Sequence, residues 1–458
     1  MAPTRGARRR PTRSGCVKNI SPEGHYMLER SIHLFRKPAM LGSLLNLLHA
    51  TSTSLDLDRI RRRGERVKNS ELFEARKRRV MDAIGFKHEP DRVPVIGGGV
   101  NFFPAKYAGI TVADFMYDPQ RMRQAYFKME EDFPLDTTFP SFLLSIGRVA
   151  TAAGLNLLKI PGRDIDVNSS YQYNEVDRLK DDEWDQLIQG GITFVVDTIA
   201  PRMVDLLGTH GVARLAGETR VMLELMRLVS NSLGIMNEME ARGMYNFLGS
   251  FAFPPFDVMS LMFRTLSSLT RDLMHKQTRE DIVEICERMN PWLIQLYMTL
   301  ARLTGLPGVF FPSERAFSLS PRQFEQFYWP TLKQMILAFV KEGLIPFLEW
   351  ESDVTHLVHF LKELPRSVAR RCVFNCDTSD IFEVHKILDG HMAITGNIPL
   401  STMCVGTPRD VEKYCTRLFE VLKPGGGYLL CPALGIPDEA KPENVHAMIK
   451  FAKKNGNY

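Results

Sequence analysis

Cysteines and long apolar runs are scarce in this 458-residue chain. Its seven cysteines show no paired spacing, which argues against a disulfide framework and favours a reducing compartment. No stretch of about 18 consecutive apolar residues occurs, so the sequence predicts no membrane span. These two absences together predict a soluble, cytoplasmic protein.

Acidic residues are missing from the first 20 positions, where six of the 58 Lys and Arg residues lie. The remainder carries 52 basic against 53 acidic side chains, and a neutral body gives no electrostatic footprint for nucleic acid. Residues 1–24, rich in Arg, Pro and Ser, are predicted to be a basic disordered tail. Residues 25–70 are expected to form a helical extension with an amphipathic helix at Leu28–Leu48, and residues 71–458 the main domain.

Short apolar segments alternate with helix-length amphipathic segments in the C-terminal third, which is typical of a parallel sheet. The main domain is predicted to open with a helix at Glu71–Ile84. Five strand–helix units in succession favour an α/β fold of the (β/α)8 TIM-barrel type with an N-terminal helical extension. The predicted strands are Gly308–Phe311, Leu344–Leu348, Cys372–Asn375, Met392–Thr395 and Tyr428–Leu430, and the predicted helices are 321–342, 353–364, 379–389, 408–422 and 441–454.

Polar residues follow these strands directly, where barrel enzymes carry their catalytic groups. Glu349 and Glu351 follow one strand and share a face, and two acids aimed into a barrel mouth are costly without a cation, a metal or a shared proton. Asp377, Asn397 and Arg315 follow other strands. A structural interpretation stays open for these three: a helix start, a turn and an ion pair, respectively.

Several motifs occur in fixed order along the chain, namely Asp91-Arg92-Val93-Pro94-Val95, Gly396-Asn397-Ile398-Pro399, Gly406-Thr407-Pro408, Gly425-Gly426-Gly427-Tyr428 and Gly435-Ile436-Pro437. Together they resemble the uroporphyrinogen decarboxylase superfamily, which also contains cobalamin-dependent methyltransferases. The resemblance covers residues 71–458 and implies a (β/α)8 barrel.

Two departures from the family pattern limit which of the superfamily's reactions this sequence fits. Decarboxylases carry an arginine-rich segment resembling RQAGRY after the first strand, whereas the stretch Ile96–Phe103, with Asn101 as its polar candidate, has no arginine. A substrate with many carboxylates needs fixed cations there. Thiol-activating methyltransferases use a zinc site resembling HxC, but Glu349 and Glu351 stand at that position, so no zinc site of this type is predicted. No metal ligand is assigned, and binding of a hard cation by the two glutamates stays open as an alternative.

The resemblance therefore implies a methyltransferase-like enzyme that moves a methyl group between a corrinoid (cobalamin) on a partner protein and a small molecule, with tetrahydrofolate as a further cofactor candidate. Glu349, Glu351 and Asp377 are the catalytic candidates, and Asn101, Asp136, Arg315 and Asn397 are the substrate-binding candidates. Asp136 is the match to the decarboxylase aspartate. A porphyrinoid decarboxylase and a non-catalytic barrel subunit remain as alternatives. A homodimer is expected from the resemblance.

Overall fold

The computed structural model describes residues 63–86, 90–97 and 101–458. The predicted tail at 1–24 and the predicted helix at Leu28–Leu48 lie outside these residues. Within the described residues, no helix is both long enough and apolar enough to cross a membrane.

Six parallel strands form the main sheet, and they are hydrogen-bonded in the order in which they occur in the chain. Two short strands earlier in the chain pair antiparallel as a hairpin. The hairpin strands are β1 (Leu158–Lys159) and β2 (Gln172–Tyr173), and the sheet strands are β3 (Leu248–Phe251), β4 (Gly308–Ser313), β5 (Ile345–Trp350), β6 (Val373–Cys376), β7 (Ala393–Ile398) and β8 (Tyr428–Pro432). The parallel sheet predicted for the C-terminal third is therefore confirmed.

Two further segments continue this sheet beyond β8 and give it eight positions. Val95 forms a parallel bridge with Leu430 of β8, and Ile96 forms a parallel bridge with Thr137. The backbone N–H of Ile96 donates to the carbonyl of Leu430 at 2.9 Å, and that of Gly97 donates to the carbonyl of Thr137 at 2.9 Å. The first two positions of the (β/α)8 barrel are thus the segments around Val95 and Thr137.

Helices follow the barrel strands, and two of them begin with a capping box. Ser320 and Thr407 each form a capping box before a proline at the first helical turn. The helix predicted at Glu71–Ile84 begins earlier, at Arg63, and the segment predicted as a helix at 353–364 is a 3-10 helix.

The bounds of the helices complete the description of the fold. The α-helices within the described residues are Arg63–Gly85, Phe103–Ala108, Val112–Tyr117, Pro119–Asp132, Gly147–Ala153, Trp184–Gly190, Ile192–Phe194, Gly211–Ala241, Pro255–Val258, Leu266–Asp272, Lys276–Thr304, Pro321–Gln323, Trp329–Lys341, Arg366–Ala369, Ile381–Leu388, Leu400–Cys404, Pro408–Leu422 and Pro442–Asn455. The 3-10 helices are Ser141–Leu144, Ala200–Arg202, Asp205–Gly208, Ala316–Ser318 and Thr355–Glu363, and π-helical turns occur at Val195–Ile199, Met259–Phe263 and Phe324–Tyr328.

The interior of the barrel is filled by an apolar cluster of its own. Phe310 of β4 and Phe347 of β5 belong to it, with ring centroids 6.0 Å apart. Val80 of the Arg63–Gly85 helix lies in the same buried cluster. This helix therefore packs against the barrel interior and shields its apolar residues from water.

A buried ion-pair network fixes the start of the barrel. Asp136, 1% exposed, accepts hydrogen bonds from Arg79 at 2.6 Å, from Arg92 at 2.7 Å and from the backbone N–H of Val95 at 2.8 Å. Arg79 also pairs with Asp91. Because both arginines precede the first barrel segment, the network lies where the strands enter the barrel and ties the first two segments together.

Replacing Asp136 by Asn is expected to lower the free energy of unfolding by about 2–4 kcal/mol, because two largely buried guanidinium groups lose their shared counter-charge. Chemical denaturation at neutral pH measures the change. Glu420→Gln, at an exposed helix position, is the matched control and is expected to change stability by less than about 0.5 kcal/mol. Equal stability of the two variants would refute the structural role of Asp136.

Candidate active site

Four carboxylates come together where β4, β5 and β6 end. Glu314 follows β4, Glu349 lies in β5, Glu351 follows β5, and Asp377 follows β6. The strands are in register there, since Glu349 is the Cα partner of Asn375 and Trp350 that of Cys376. Parallel strands carry their carboxyl ends to the same rim, so these side chains share one mouth of the barrel.

The orientation of Glu349 and Glu351 follows from the residue between them. Trp350 packs against Phe324 of the helical layer, with ring centroids 5.1 Å apart. Side chains alternate along a strand, so the two glutamates face the opposite side, toward the barrel axis. Phe347, in the interior cluster, lies on that same side two residues before Glu349. The predicted pair of inward-facing acids therefore stands directly above the apolar interior.

Polar groups of β6 and its loop contact these acids. Asn375, 1% exposed, donates from its amide nitrogen to Glu349 at 3.0 Å and to the carbonyl of Ala433 at 3.1 Å. Its amide oxygen is buried with no hydrogen-bond partner. Asp377, 6% exposed, accepts from the backbone N–H of Ser352 at 2.8 Å through one oxygen, and its other oxygen is likewise buried without a partner. The rim thus presents acceptor oxygens that lack donors.

The four acids repel one another. Burial, followed by the charges of Glu351 and Asp377, raises the pKa of Glu349 well above its ordinary value. Burial and the charge of Asp377 also raise the pKa of Glu351, and burial raises that of Asp377. Burial and the charge of Glu351 raise the pKa of Glu314 to about 7. Burial and mutual repulsion therefore favour the protonated forms of these acids, and a bound cation would favour their charged forms.

The β1–β2 hairpin brings two tyrosines to these acids. The hydroxyl of Tyr173 donates to Glu314 at 3.0 Å. Tyr171 lies close enough that the charges of Glu314, Glu351 and Glu349, after burial, raise its pKa. Ser170, beside them, donates to Asp438 at 3.1 Å. The hairpin therefore closes over the mouth, while both tyrosines, Glu314 and Glu351 remain partly exposed.

Arg315 brings a positive charge to the rim. Its guanidinium pairs with Glu175, just beyond the hairpin, at 3.0 Å, and not with the neighbouring Glu314. Its charge lowers the pKa of Glu314 and of Glu351. The ion pair foreseen as the structural interpretation of Arg315 is thus present, and it also holds the hairpin at the mouth.

The remaining sequence candidates lie elsewhere. Asn397 is buried in β7, donates to the carbonyls of Asp377 and Ser379, and accepts from Tyr414, so the structure places it as a support for the Asp377 loop. Asp136 belongs to the ion-pair network at the opposite ends of the strands, away from the acids. Asn101 lines a small cavity beside Thr138 and Ile436.

The structure adds Glu314, Tyr171 and Tyr173 to the candidates. Glu314 carried a signal in the sequence, because it follows a predicted strand directly. The tyrosines carried none, because their hairpin reaches the mouth only through contacts distant in sequence. Among the residues described, no group of three or more His, Cys, Asp or Glu side chains is placed to hold a metal ion.

A closed parallel barrel with polar side chains at the carboxyl ends of its strands has the layout of a TIM-barrel enzyme. The family model for uroporphyrinogen decarboxylase (URO-D) matches residues 212–455, which is more than half of the chain. The chain therefore belongs to the uroporphyrinogen decarboxylase family, and the resemblance inferred from its motifs is confirmed. No curated protein matches the chain.

Solved structures agree with this fold. A methyltransferase from Methanosarcina mazei is similar with a TM-score of 0.60 at 14% identity, over 83% of this chain and 98% of that chain. At this identity, the likeness shows the barrel fold alone. A B12-independent methionine synthase from Shewanella sp. W3-18-1 reaches a TM-score of 0.39 at 11% identity, over 79% of this chain and 98% of that one, and this score is too low to carry an argument.

The pKa of Glu314 makes stability depend on pH. Its carboxyl has an ordinary value of 4.5 and a folded value of about 7, so the folded state holds a proton that the unfolded state releases. The stabilisation from that proton is complete below about pH 4.5 and is lost as pH rises to about 7. In Glu314→Gln, which keeps an acceptor for Tyr173, the unfolding free energy is expected to fall less over this window and to exceed that of wild type by roughly 1–3 kcal/mol at pH 8.

Urea denaturation of wild type and Glu314→Gln at pH 5, 6, 7 and 8 measures this difference. Glu420→Gln is again the matched control, because the side chain is exposed on a helix, and it is expected to follow the wild-type curve. Parallel curves for wild type and Glu314→Gln would show that Glu314 ionises at an ordinary pH.

Proposed function

We propose that this chain is a methyltransferase that moves a methyl group between a corrinoid, carried on a partner protein, and a small molecule bound at the barrel mouth. The observation that carries the proposal is the convergence of Glu314, Glu349, Glu351 and Asp377 at that mouth, where β4, β5 and β6 end. Four carboxylates at the mouth suit a neutral or cationic ligand better than an anionic one. The solved Methanosarcina mazei protein of the same fold also bears the name methyltransferase.

Decarboxylation of a porphyrinogen is the weaker alternative because of charge. A substrate with eight carboxylates would meet four acids, whereas the cation at this rim, Arg315, is already paired with Glu175. Uncompensated like charges at close range oppose binding. The acidic mouth thus agrees with the absence of arginine between Ile96 and Phe103.

A corrin fits the donor and acceptor groups at the mouth better. Its periphery carries neutral primary amides, which donate hydrogen bonds to carboxylates and accept them from hydroxyls. Glu314 is a partly exposed acceptor at the mouth, and Tyr173, whose hydroxyl donates to it, is partly exposed beside it. These residues would hold the corrinoid face of the partner, and the bound corrinoid supplies the methyl-carrying chemistry.

The residues below the mouth would orient the small molecule. Glu349 is fixed by Asn375, and Asp377 by the backbone N–H of Ser352. Rigid polar groups of this kind align a ligand for attack without moving themselves. Tetrahydrofolate, whose ring carries several N–H donors, is a further ligand that these acceptors would suit.

Binding titrations separate the two activities. We expect saturable binding of methylcobalamin by visible absorbance, or of tetrahydrofolate by calorimetry, and no binding of oxidised uroporphyrin, because its carboxylates meet like charges. Tight uroporphyrin binding, with the other two ligands ignored, would favour decarboxylation.

Substitution of the acids tests their part in methyl transfer. Glu351→Gln and Asp377→Asn are expected to stay folded and to slow methyl transfer by about 10²-fold or more, because each removes a fixed charge beside the reacting group. Single-turnover transfer between methylcobalamin and the identified acceptor is the measurement. Asp353→Asn is the control in the same loop, because Asp353 is exposed and only accepts hydrogen bonds from Thr355. If both folded variants transferred the methyl group at the wild-type rate, these acids would have no part in the reaction.

A further inference from the structure

The acceptor oxygens at the mouth lack a donor, and this deficit identifies the chemical class of the ligand. Asn375 donates from its amide nitrogen to Glu349, and its amide oxygen is buried without a hydrogen-bond partner. Asp377 leaves one carboxylate oxygen in the same condition. Such groups cost free energy when they are unsatisfied, and a site that retains several is built for a molecule that brings hydrogens.

Charge at the mouth adds a second requirement. Glu314, Glu349 and Glu351 interact with one another and with Asp377 as like charges. Arg315, whose charge acts on Glu314 and Glu351, is held by Glu175. A positively charged ligand would relieve this repulsion, whereas a neutral donor would satisfy the oxygens alone. A metal ion would need a set of ligands that the described side chains do not present.

The walls of the mouth are aromatic. Tyr171 and Tyr173 lie on the hairpin above the acids, and Phe102 contacts the ring of Tyr171 with centroids 6.2 Å apart. Aromatic faces attract organic cations and pack against their methyl groups. The mouth therefore combines acids, aromatic rings and unpaired acceptor oxygens, which are the groups that recognise an alkylammonium ion.

We infer that the barrel mouth binds a protonated methylated amine, with Glu351 and Asp377 facing its charge, Asn375 accepting its N–H, and Tyr171 covering its methyl groups. This inference rests on the proposed methyl transfer and names its donor. Transfer would break one C–N bond, and the nitrogen would keep the electron pair of that bond and leave as a neutral amine. The reduced corrinoid would supply the electron pair of the new bond.

Binding is tested on the full chain without corrinoid by isothermal titration calorimetry at pH 8. The probes are trimethylammonium, which has charge and one N–H, tetramethylammonium, which has charge alone, and tert-butanol, which is neutral and of similar size. Trimethylammonium has four non-hydrogen atoms, so its Kd cannot fall much below about 40 μM. We expect saturable binding of trimethylammonium, at least about fivefold weaker binding of tetramethylammonium, and none of tert-butanol.

Variants connect the binding to the named residues. Glu351→Gln and Asp377→Asn are expected to weaken trimethylammonium binding at least about tenfold, whereas Asp353→Asn should leave it unchanged. The affinity should rise several-fold from pH 6 to pH 8, because the cation displaces the protons that the acids hold, and Glu314→Gln should flatten this rise. Thermal unfolding verifies that each variant is folded. The inference would be overturned if the wild-type affinity for trimethylammonium did not change with pH. It would also be overturned if the Glu351 and Asp377 variants bound trimethylammonium as tightly as wild type does.

The result of the binding experiment can be distinguished from the result of the methyl-transfer experiment. If trimethylammonium bound but no methyl group were transferred to reduced cobalamin, the result would support the cation site and contradict the proposed reaction. Methyl transfer from a neutral donor, with no trimethylammonium binding, would overturn the cation site and leave the reaction standing. Equal binding of tert-butanol and trimethylammonium would show that the mouth selects shape and not charge.

Discussion

Electrostatic repulsion among carboxylates at one rim is the constraint on which the rest of this structure depends. Burial removes the water that would screen Glu349 and Asp377, so each charge acts strongly on its neighbours. Few hydrogen bonds offset this cost, and Asn375 and the backbone N–H of Ser352 provide two of them. Such an arrangement persists only where the surrounding barrel is stable enough to hold it.

That stability comes from the other end of the barrel and from its interior. Asp136 pairs with Arg79 and Arg92 together at the entry of the strands, whereas the acids at the exit repel one another. Phe310 and Phe347 fill the space between the two ends. Opposite charges stabilise the end of the barrel where the strands begin and no ligand is expected. Like charges collect at the mouth, where a ligand is expected.

The sequence predicted the features that depend on local pattern. Alternation placed Glu349 and Glu351 on one face, and Trp350 confirms it by packing on the helical layer. Asp136 is a candidate only through its resemblance to the decarboxylase aspartate, and a motif does not show that its carboxylate is paired with Arg79 and Arg92 at the other end of the strands. Nor could it bring Tyr171 to the mouth, because the hairpin reaches Glu314 over a separation of more than a hundred residues.

The way in which the hairpin is attached to the barrel affects which part of the mouth opens most easily. It is attached at the mouth through Ser170 on Asp438, Tyr173 on Glu314, and Glu175 on Arg315, and all three contacts are polar and at least partly exposed to water. Contacts of this kind open at little cost compared with the apolar core. The hairpin is therefore expected to open before the barrel strands do, and its two tyrosine rings lie on the part of the mouth that can widen around a ligand.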